Sequence, residues 1–307
     1  MIRSSPHGFI IKTTLERMKQ RSDKDWHSYR GDYMTIMNMK RLLIFFAGVL
    51  SICTLTSSVS AQDNTSEEIE KYRELLADGN PAELWELTGE ELWYREAGPK
   101  NKTLETCDLG KGPGVVEGAY VEMPRYFSDV DKVMDLEQRL IYCRMMIQGL
   151  SREQATERPF GSAGNSSDIE ALVAYVTGQS RGMKIAVVVG HEKEKRMYEM
   201  GKRFFYFRAG SHDFGCVTCH SGENKRIRLQ ELPNFMNVEQ ARKSYGSWPA
   251  YRVSQGEVRS MQHRLYDCLR QQRFPEAIYG MDLLTAISLY LAKSANGGTY
   301  DAPAMKR

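Results

Sequence analysis

Beyond residue 62 the apolar positions recur mostly at helical spacing, separated by short polar intervals. The pattern predicts helices over 66–76, 81–93, 131–149, 169–178, 192–208, 257–272 and 281–294. The helix at 192–208 has the clearest stripe, formed by Met197, Met200, Gly201, Phe204 and Phe205. Between 107 and 126 the pattern fails, and Gly110, Gly112, Pro113, Gly114, Gly118 and Pro124 make this stretch a loop. Gly, Ser and Asn over 161–167 separate two helices. Residues 229–248 read as mixed, with Pro233 and Pro249 as breakers.

Two parts of this pattern repeat. Asp135-Leu-Glu-Gln-Arg139-Leu-Ile-Tyr-Cys143 parallels Ser260-Met-Gln-His-Arg264-Leu-Tyr-Asp-Cys268, so that Arg-Leu-x-x-Cys stands on a helix twice. Each copy follows a cysteine-bearing loop and precedes another apolar helix, ending near Gly178 or Gly297. Repetition of a whole run of elements points to an internal duplication, with the boundary near residue 180.

The N-terminus reads differently. Met39-Lys40-Arg41, the apolar run Leu42–Leu55 and the small residues Val59-Ser60-Ala61 form a secretory signal over 39–61, cleaved before Gln62. The run is shorter than the roughly 20 residues a membrane span needs, so no membrane span is expected after cleavage. Ile52 before Cys53 fits a lipoprotein site poorly. Residues 1–38 are polar and lack periodicity. They are expected to be a gene-model extension, with translation starting at Met37 or Met39.

Removing the leader changes the charge. The chain holds 42 basic and 39 acidic side chains, and residues 1–61 take nine and four of them. The remaining 33 and 35 leave a net of −2, which gives no electrostatic footprint for nucleic acid. Five cysteines remain: Cys107, Cys143, Cys216, Cys219 and Cys268. Export places them in an oxidising compartment, here the periplasm, where an odd count leaves one thiol over.

Cys216-Val-Thr-Cys219-His220 is the attachment pattern for haem c: two thiols add to the porphyrin vinyl groups and the adjacent histidine binds the iron. A redox disulfide or half of a zinc site would also match, but no second cysteine pair completes a zinc site. The preceding stripe resembles the first helix of small cytochrome c domains. The expected fold is therefore all-α, with two cytochrome c-like domains related by duplication: 62–180, without haem, and 181–307, with it. Cys107-Asp-Leu-Gly stands where the first copy of the motif would be.

The second axial ligand stays open on the residues alone. Met236, Met261, Met281, Met305 and His263 are candidates, methionine being the usual choice in an electron carrier. Cys268 is another, because Arg264 lies one helical turn before it and would favour its thiolate while offering an anion a guanidinium fork. The plainer alternative is a surface arginine and an inert buried thiol. Lys225, Arg226 and Arg228 could steer an anion or be a solvated charge run. Trp248 and Tyr251 could flank the haem or pack in the core, and His191 and His212 read as loop or surface residues.

Taken with Trp248-Pro-Ala-Tyr-Arg252, Gln262-His-Arg264-Leu-Tyr-Asp-Cys268 and the closing Ala302-Pro303-Ala-Met-Lys-Arg307, the haem motif resembles the SoxA family over residues 66–307. SoxA is the larger subunit of the SoxAX cytochromes of thiosulfate oxidation. The resemblance implies that Cys268 is the distal iron ligand, found as a persulfide in that family, and that Arg264 lines the substrate site. It implies an L-cysteine S-thiosulfotransferase that conjugates thiosulfate oxidatively to a cysteine of the SoxYZ carrier. The electrons pass to SoxX, the partner in a heterodimer. Loss of the N-terminal motif resembles the single-haem branch, in which the leftover cysteines, here Cys107 and Cys143, form a disulfide. The competing readings are a simple periplasmic electron-transfer cytochrome with no catalytic sulfur and, less well matched, a two-haem peroxidase.

The purified protein is expected to carry one covalent haem per chain, as a pyridine haemochrome assay against protein concentration will show. A ratio near two would overturn the assignment of Cys107-Asp-Leu-Gly as a lost site.

Overall fold

Two successive runs of the chain each contain a first helix, a short antiparallel hairpin, a helix directly after it and a last helix, with different elements between them. The first opens with α1 (Ala82–Tyr94), which buries Ala82, Gly89, Leu92 and Trp93. A long coil holding Cys107 follows, then a short 3-10 turn (Tyr120–Glu122) and the cis Met123–Pro124 peptide. Next come the antiparallel strands β1 (Arg125–Phe127) and β2 (Lys132–Met134), and the helices α2 (Leu136–Met146), α3 (Arg152–Ala155) and α4 (Asp168–Gly178). The second run opens with α5 (Glu192–Tyr206) and α6 (Cys216–His220). A two-residue hairpin of β3 (Arg226–Ile227) and β4 (Gln230–Glu231) leads to α7 (Val238–Tyr245). The cis Trp248–Pro249 peptide then precedes β5 (Ala250–Arg252), β6 (Glu257–Arg259), α8 (Met261–Gln271), α9 (Asp282–Ser294) and β7 (Ala304–Lys306). This computed structural model describes Glu68, Lys71 and residues 79–162, 164–227 and 230–306. The signal sequence, residues 1–38 and nearly all of the helix expected over 66–76 lie outside the described residues.

The chain is mostly helical, and the all-α expectation takes one correction. The helices expected to start at 131 and 257 start at Leu136 and Met261, and a strand stands before each. The cause is capping. Asp135 accepts the Gln138 N–H at 2.9 Å and Ser260 accepts the His263 N–H at 3.1 Å, so each helix begins there. Upstream, the buried Val133 and Val258 sit at corresponding ladder positions of two hairpins whose registers match residue for residue: Arg125↔Met134 and Tyr126↔Val133 in one, Ala250↔Arg259 and Tyr251↔Val258 in the other. The second hairpin gains a third strand, β7, parallel to β5.

In both runs the first helix packs along the last, α1 on α4 and α5 on α9. Each contact is made at a glycine. A Cβ at Gly89 would stand 2.0 Å from the Ala171 carbonyl oxygen, and one at Gly201 would stand 1.9 Å from that of Ala286. No other residue permits so close an approach.

The hairpins are exchanged. β1 and β2 pack on α5 of the second run, where Glu194 Oε1 accepts the Tyr126 N–H at 2.8 Å and the Tyr126 ring stacks on His191 at 3.7 Å. β6 packs on α1 and α4 of the first run, and Tyr251 meets Trp85 at 5.5 Å. Polar groups follow the same exchange. Asp135 Oδ2 accepts from Gln262 Nε2 at 2.7 Å and Thr285 Oγ1 at 3.0 Å. In the reverse direction, Glu170 receives His263 Nδ1 at 2.8 Å, Arg259 at 3.3 Å and the Ser260 N–H at 3.4 Å. Residues 69–307 accordingly form one compact unit with a continuous core. No helix among the described residues is long and apolar enough to cross a membrane.

Cys107 and Cys143 are joined by a disulfide in the core of the first run. Closing a loop between positions 36 residues apart restricts the unfolded chain. Replacing both cysteines by Ala is expected to cost about 2–4 kcal/mol, read as a fall in the urea midpoint with the haem still attached. Glu137 is a second handle. Burial, with Asp135 beside it, pushes its carboxyl up from 4.5 to about 8. Because the folded value is the higher, its contribution is fully present below 4.5 and lost as pH rises through about 8. Glu137→Gln should flatten the fall in urea midpoint across that window.

Candidate haem centre

Helix α6 brings Cys216, Cys219 and His220 into little more than one turn. After α5, a bridge between Ala209 and Phe214 (2.9 and 3.2 Å) turns the chain back. Thr218 Oγ1 then accepts the Gly215 N–H at 3.0 Å, and Lys225 Nζ donates to the Thr218 carbonyl at 2.6 Å. His220 is held from the far side. Its carbonyl accepts the Phe235 N–H at 2.9 Å, its ring Nδ1 lies 2.8 Å from the Pro233 carbonyl, and the Phe235 ring meets it edge-on at 5.5 Å. The loop that supplies these partners is fixed by Glu223, which accepts from Asn234 and Gln240, each at 2.7 Å.

With the Nδ1 proton committed to Pro233, Nε2 is the free donor. Burial, reinforced by Arg264 and Lys225, holds His220 below the ordinary imidazole range and keeps it neutral, as a metal ligand must be.

Cys216, Cys219 and Cys268 are free and partly buried, and their charges act on one another. Burial, then Cys268, pushes the Cys216 thiol up to about 12. Burial raises Cys268 as well, opposed first by Arg264 one turn away on α8. Arg264 itself has a loose ion pair to Asp267 at 3.6 Å and lies 5.9 Å from the Trp248 ring. Two free thiols and a neutral imidazole with Nε2 open fit the residues that would hold haem c, and Cys268 is a third free thiol whose charge acts on Cys216.

Other candidates are engaged elsewhere. His263 is bonded to Glu170 and stacked on Phe160 at 4.0 Å. The Met236 sulfur accepts from the Tyr206 hydroxyl at 3.3 Å, and that of Met281 accepts from the Ile278 N–H at 3.3 Å. Met261 is buried at the start of α8, and Met305 lies in β7. Lys225 is bound to Thr218 and Arg226 pairs with Glu231 at 3.5 Å, so both serve the local structure. Arg228 lies outside the described residues. Trp248 is buried under Arg264, whereas Tyr251 belongs to the packing against Trp85. His191 caps α5, accepting from the Lys193 N–H at 3.2 Å, and His212 is exposed beside Phe214. Two contributors were not singled out in the sequence: the Pro233 carbonyl, which carries no side-chain signal, and Arg252, visible only as the last residue of Trp248-Pro-Ala-Tyr-Arg252.

Residues 88–185 match the family model described as the SoxA/TsdA cytochrome c domain. The L-cysteine S-thiosulfotransferase subunit SoxA of Hydrogenophilus thermoluteolus is 47% identical over 267 residues, covering 84% of this chain and 97% of that protein. A protein of the same name from Hydrogenobacter thermophilus is 32% identical over 81% of this chain and 92% of its own length. The crystal structure of SoxXA from P. pantotrophus superposes with a TM-score of 0.61 at 24% identity, covering 74% of this chain and 79% of that one, and shares its mostly helical, cytochrome c-like fold. Identity at this level over nearly the whole of a relative's length leads to one conclusion: the chain belongs to the SoxA family.

Proposed function

We propose that this protein is the haem-bearing subunit of a thiosulfate-oxidising complex, an L-cysteine S-thiosulfotransferase acting on a cysteine of a SoxYZ-type carrier. The observation that carries this reading is the grouping of a third free cysteine, Cys268, with the haem-attachment cysteines and with Arg264. A simple electron carrier has no use for that sulfur. The relatives' shared name, L-cysteine S-thiosulfotransferase subunit SoxA, supports the same activity.

Haem c would be held by Cys216, Cys219 and His220, with Cys268 as the distal ligand, and when bound it would supply a one-electron acceptor beside Cys268. The remaining chemistry belongs to the chain. Arg264 holds the thiosulfate dianion and offsets the charge brought next to a thiolate. The Cys268 sulfur and the terminal sulfur of thiosulfate form an S–S bond, and two electrons leave in single steps to cytochrome acceptors. The carrier's cysteine thiolate attacks the thiosulfate-derived sulfur, and the bond to Cys268 breaks, releasing the Cys268 thiolate and the carrier S-thiosulfonate. If Cys268 is a persulfide, its outer sulfur takes the same part.

The N-terminal half, 62–180, is in this reading a degenerate, haem-free copy of the haem half, 181–307. Support comes from the spacing of matched positions. Pro124 and Pro249, Tyr126 and Tyr251, Asp135 and Ser260, Arg139 and Arg264, and Cys143 and Cys268 are all separated by the same interval. Counting from Gly89 and Gly201, Cys107 corresponds to Cys219. The disulfide therefore joins the counterparts of a haem-attachment cysteine and the distal cysteine, which accounts for a single haem. The complex is completed by a SoxX-type cytochrome in a periplasm reached through the signal at 39–61.

Cys268→Ala should retain its covalent haem while losing nearly all thiosulfate-dependent conjugation to purified carrier, and its ferric electron paramagnetic resonance spectrum should lose the thiolate signature. Arg264→Lys should fall less steeply, because an ammonium does not reproduce the guanidinium fork. Near wild-type turnover in Cys268→Ala would leave only an electron-transfer role.

A further inference from the structure

The two halves offer an internal comparison at one arginine. Arg139 and Arg264 occupy the same place, four residues before the cysteine of α2 and of α8. Arg139 is fully satisfied by its own chain. It is 3% exposed, donates to the Asp108 carbonyl at 2.6 Å, pairs with Asp129 at 2.8 Å and lies 4.3 Å over the Phe127 ring.

Neither the carboxylate nor the ring has a counterpart around Arg264, whose only ion pair among the described residues is the loose one to Asp267 at 3.6 Å. At the spacing that matches the two hairpins, the position of Asp129 is held by Ser254 and that of Phe127 by Arg252. Phe127 pairs with Lys132 across its ladder, and Arg252 pairs with Glu257 in the same way. The second half therefore has a cation where the first has a ring, and no carboxylate where the first has one.

Arg252 is half-buried, and its guanidinium makes no hydrogen bond or ion pair to any described residue. Its backbone is clamped between β6 and β7, so the side chain cannot drift far from the site. Among neighbouring charges Arg264 acts on it most strongly, and both arginines act on the Cys268 sulfur. Among the described residues the one carboxylate that acts on both guanidinium groups is Asp267, 3.6 Å from Arg264 and held more closely by Arg270 at 2.8 Å, so the pair keeps an excess positive charge that an entering anion offsets.

We propose that Arg252 is a second anion-holding residue of the Cys268 site, which with Arg264 matches the two charges of a sulfur dianion such as thiosulfate. This rests on the thiosulfate-conjugating function proposed above. A lone guanidinium holds a monoanion and a dianion with similar geometry, whereas a pair favours the dianion. Arg252 is thus a specificity determinant, and Arg139, closed off by Asp129 and Phe127, shows the same scaffold without an anion site.

The test uses the holo-complex with purified carrier and a cytochrome acceptor, and sulfate and nitrate as competing dianion and monoanion. Arg252→Gln should raise KM for thiosulfate about tenfold or more, the loss expected for one charge-assisted contact, with a smaller change in kcat and an unchanged haem spectrum. It should also lose the preference for sulfate over nitrate as inhibitor, and Arg252→Lys should restore part of both. Ser254→Asp provides an independent check. It gives Arg264 the internal carboxylate that Arg139 already has, at an exposed turn position, and should raise KM in the same way. Unchanged KM in Arg252→Gln beside an active wild-type complex would overturn this inference alone. A kcat loss with KM and inhibitor preference unaltered would assign Arg252 to structure and overturn it as well. A wild-type complex inactive with thiosulfate would remove the functional reading and this inference with it.

Discussion

Everything at the haem site depends on how closely α5 can approach α9. The Gly201 backbone lies against the Ala286 carbonyl, at a separation that leaves no room for a β-carbon. This contact fixes the axis of α5, and hence where the chain emerges at Phe207 and returns at Gly215 to begin α6. Phe204 and Phe205, on the next turn, carry the packing onward to Phe274, Tyr290 and Phe235, and Phe235 is the ring against His220. A short helix bearing two cysteines and a histidine has little capacity to place itself. Its position is inherited from a helix crossing more than ten residues upstream.

The same kind of crossing at Gly89 and Ala171 organises the first half, yet the two halves differ in chemistry. In the first half two cysteines form a disulfide and Arg139 is held in an internal ion pair. The other keeps three free cysteines, with Arg252 and Arg264 acting on the Cys268 sulfur. The scaffold is common to both, and the difference lies in a few side chains at matched positions: Asp129 against Ser254, Phe127 against Arg252, Asp108 against His220.

Much of this was legible in the sequence, for identifiable reasons. Cys216, Cys219 and His220 form a local motif whose spacing states its chemistry, and Arg-Leu-x-x-Cys repeats in full. Helix existence was legible from the stripes at 192–208 and 281–294. The strands before Leu136 and Met261 were not, because three-residue hairpins carry too little alternation to compete with the helical pattern beside them. Partners supplied by distant backbone were equally hidden. Nothing about Pro233 announces that its carbonyl orients His220. The value of Arg252 becomes visible only when the matched hairpins are set side by side, since its meaning lies in what Phe127 does at the corresponding place.

The exchanged hairpins have a consequence for how such a protein can be taken apart. Tyr126 leans on the second half and Tyr251 on the first, and Asp135 and Glu170 each serve as anchors for the other half's helices. A fragment beginning near residue 181 would hold Cys216, Cys219, His220 and Cys268. It would also expose the face of β6 that Trp85 and Ala82 cover, and would leave α5 without the strand that covers its start. The half that holds Cys216, Cys219 and His220 is therefore not a portable module. The first half covers surfaces that the second cannot cover for itself, so the two are stable only as one core.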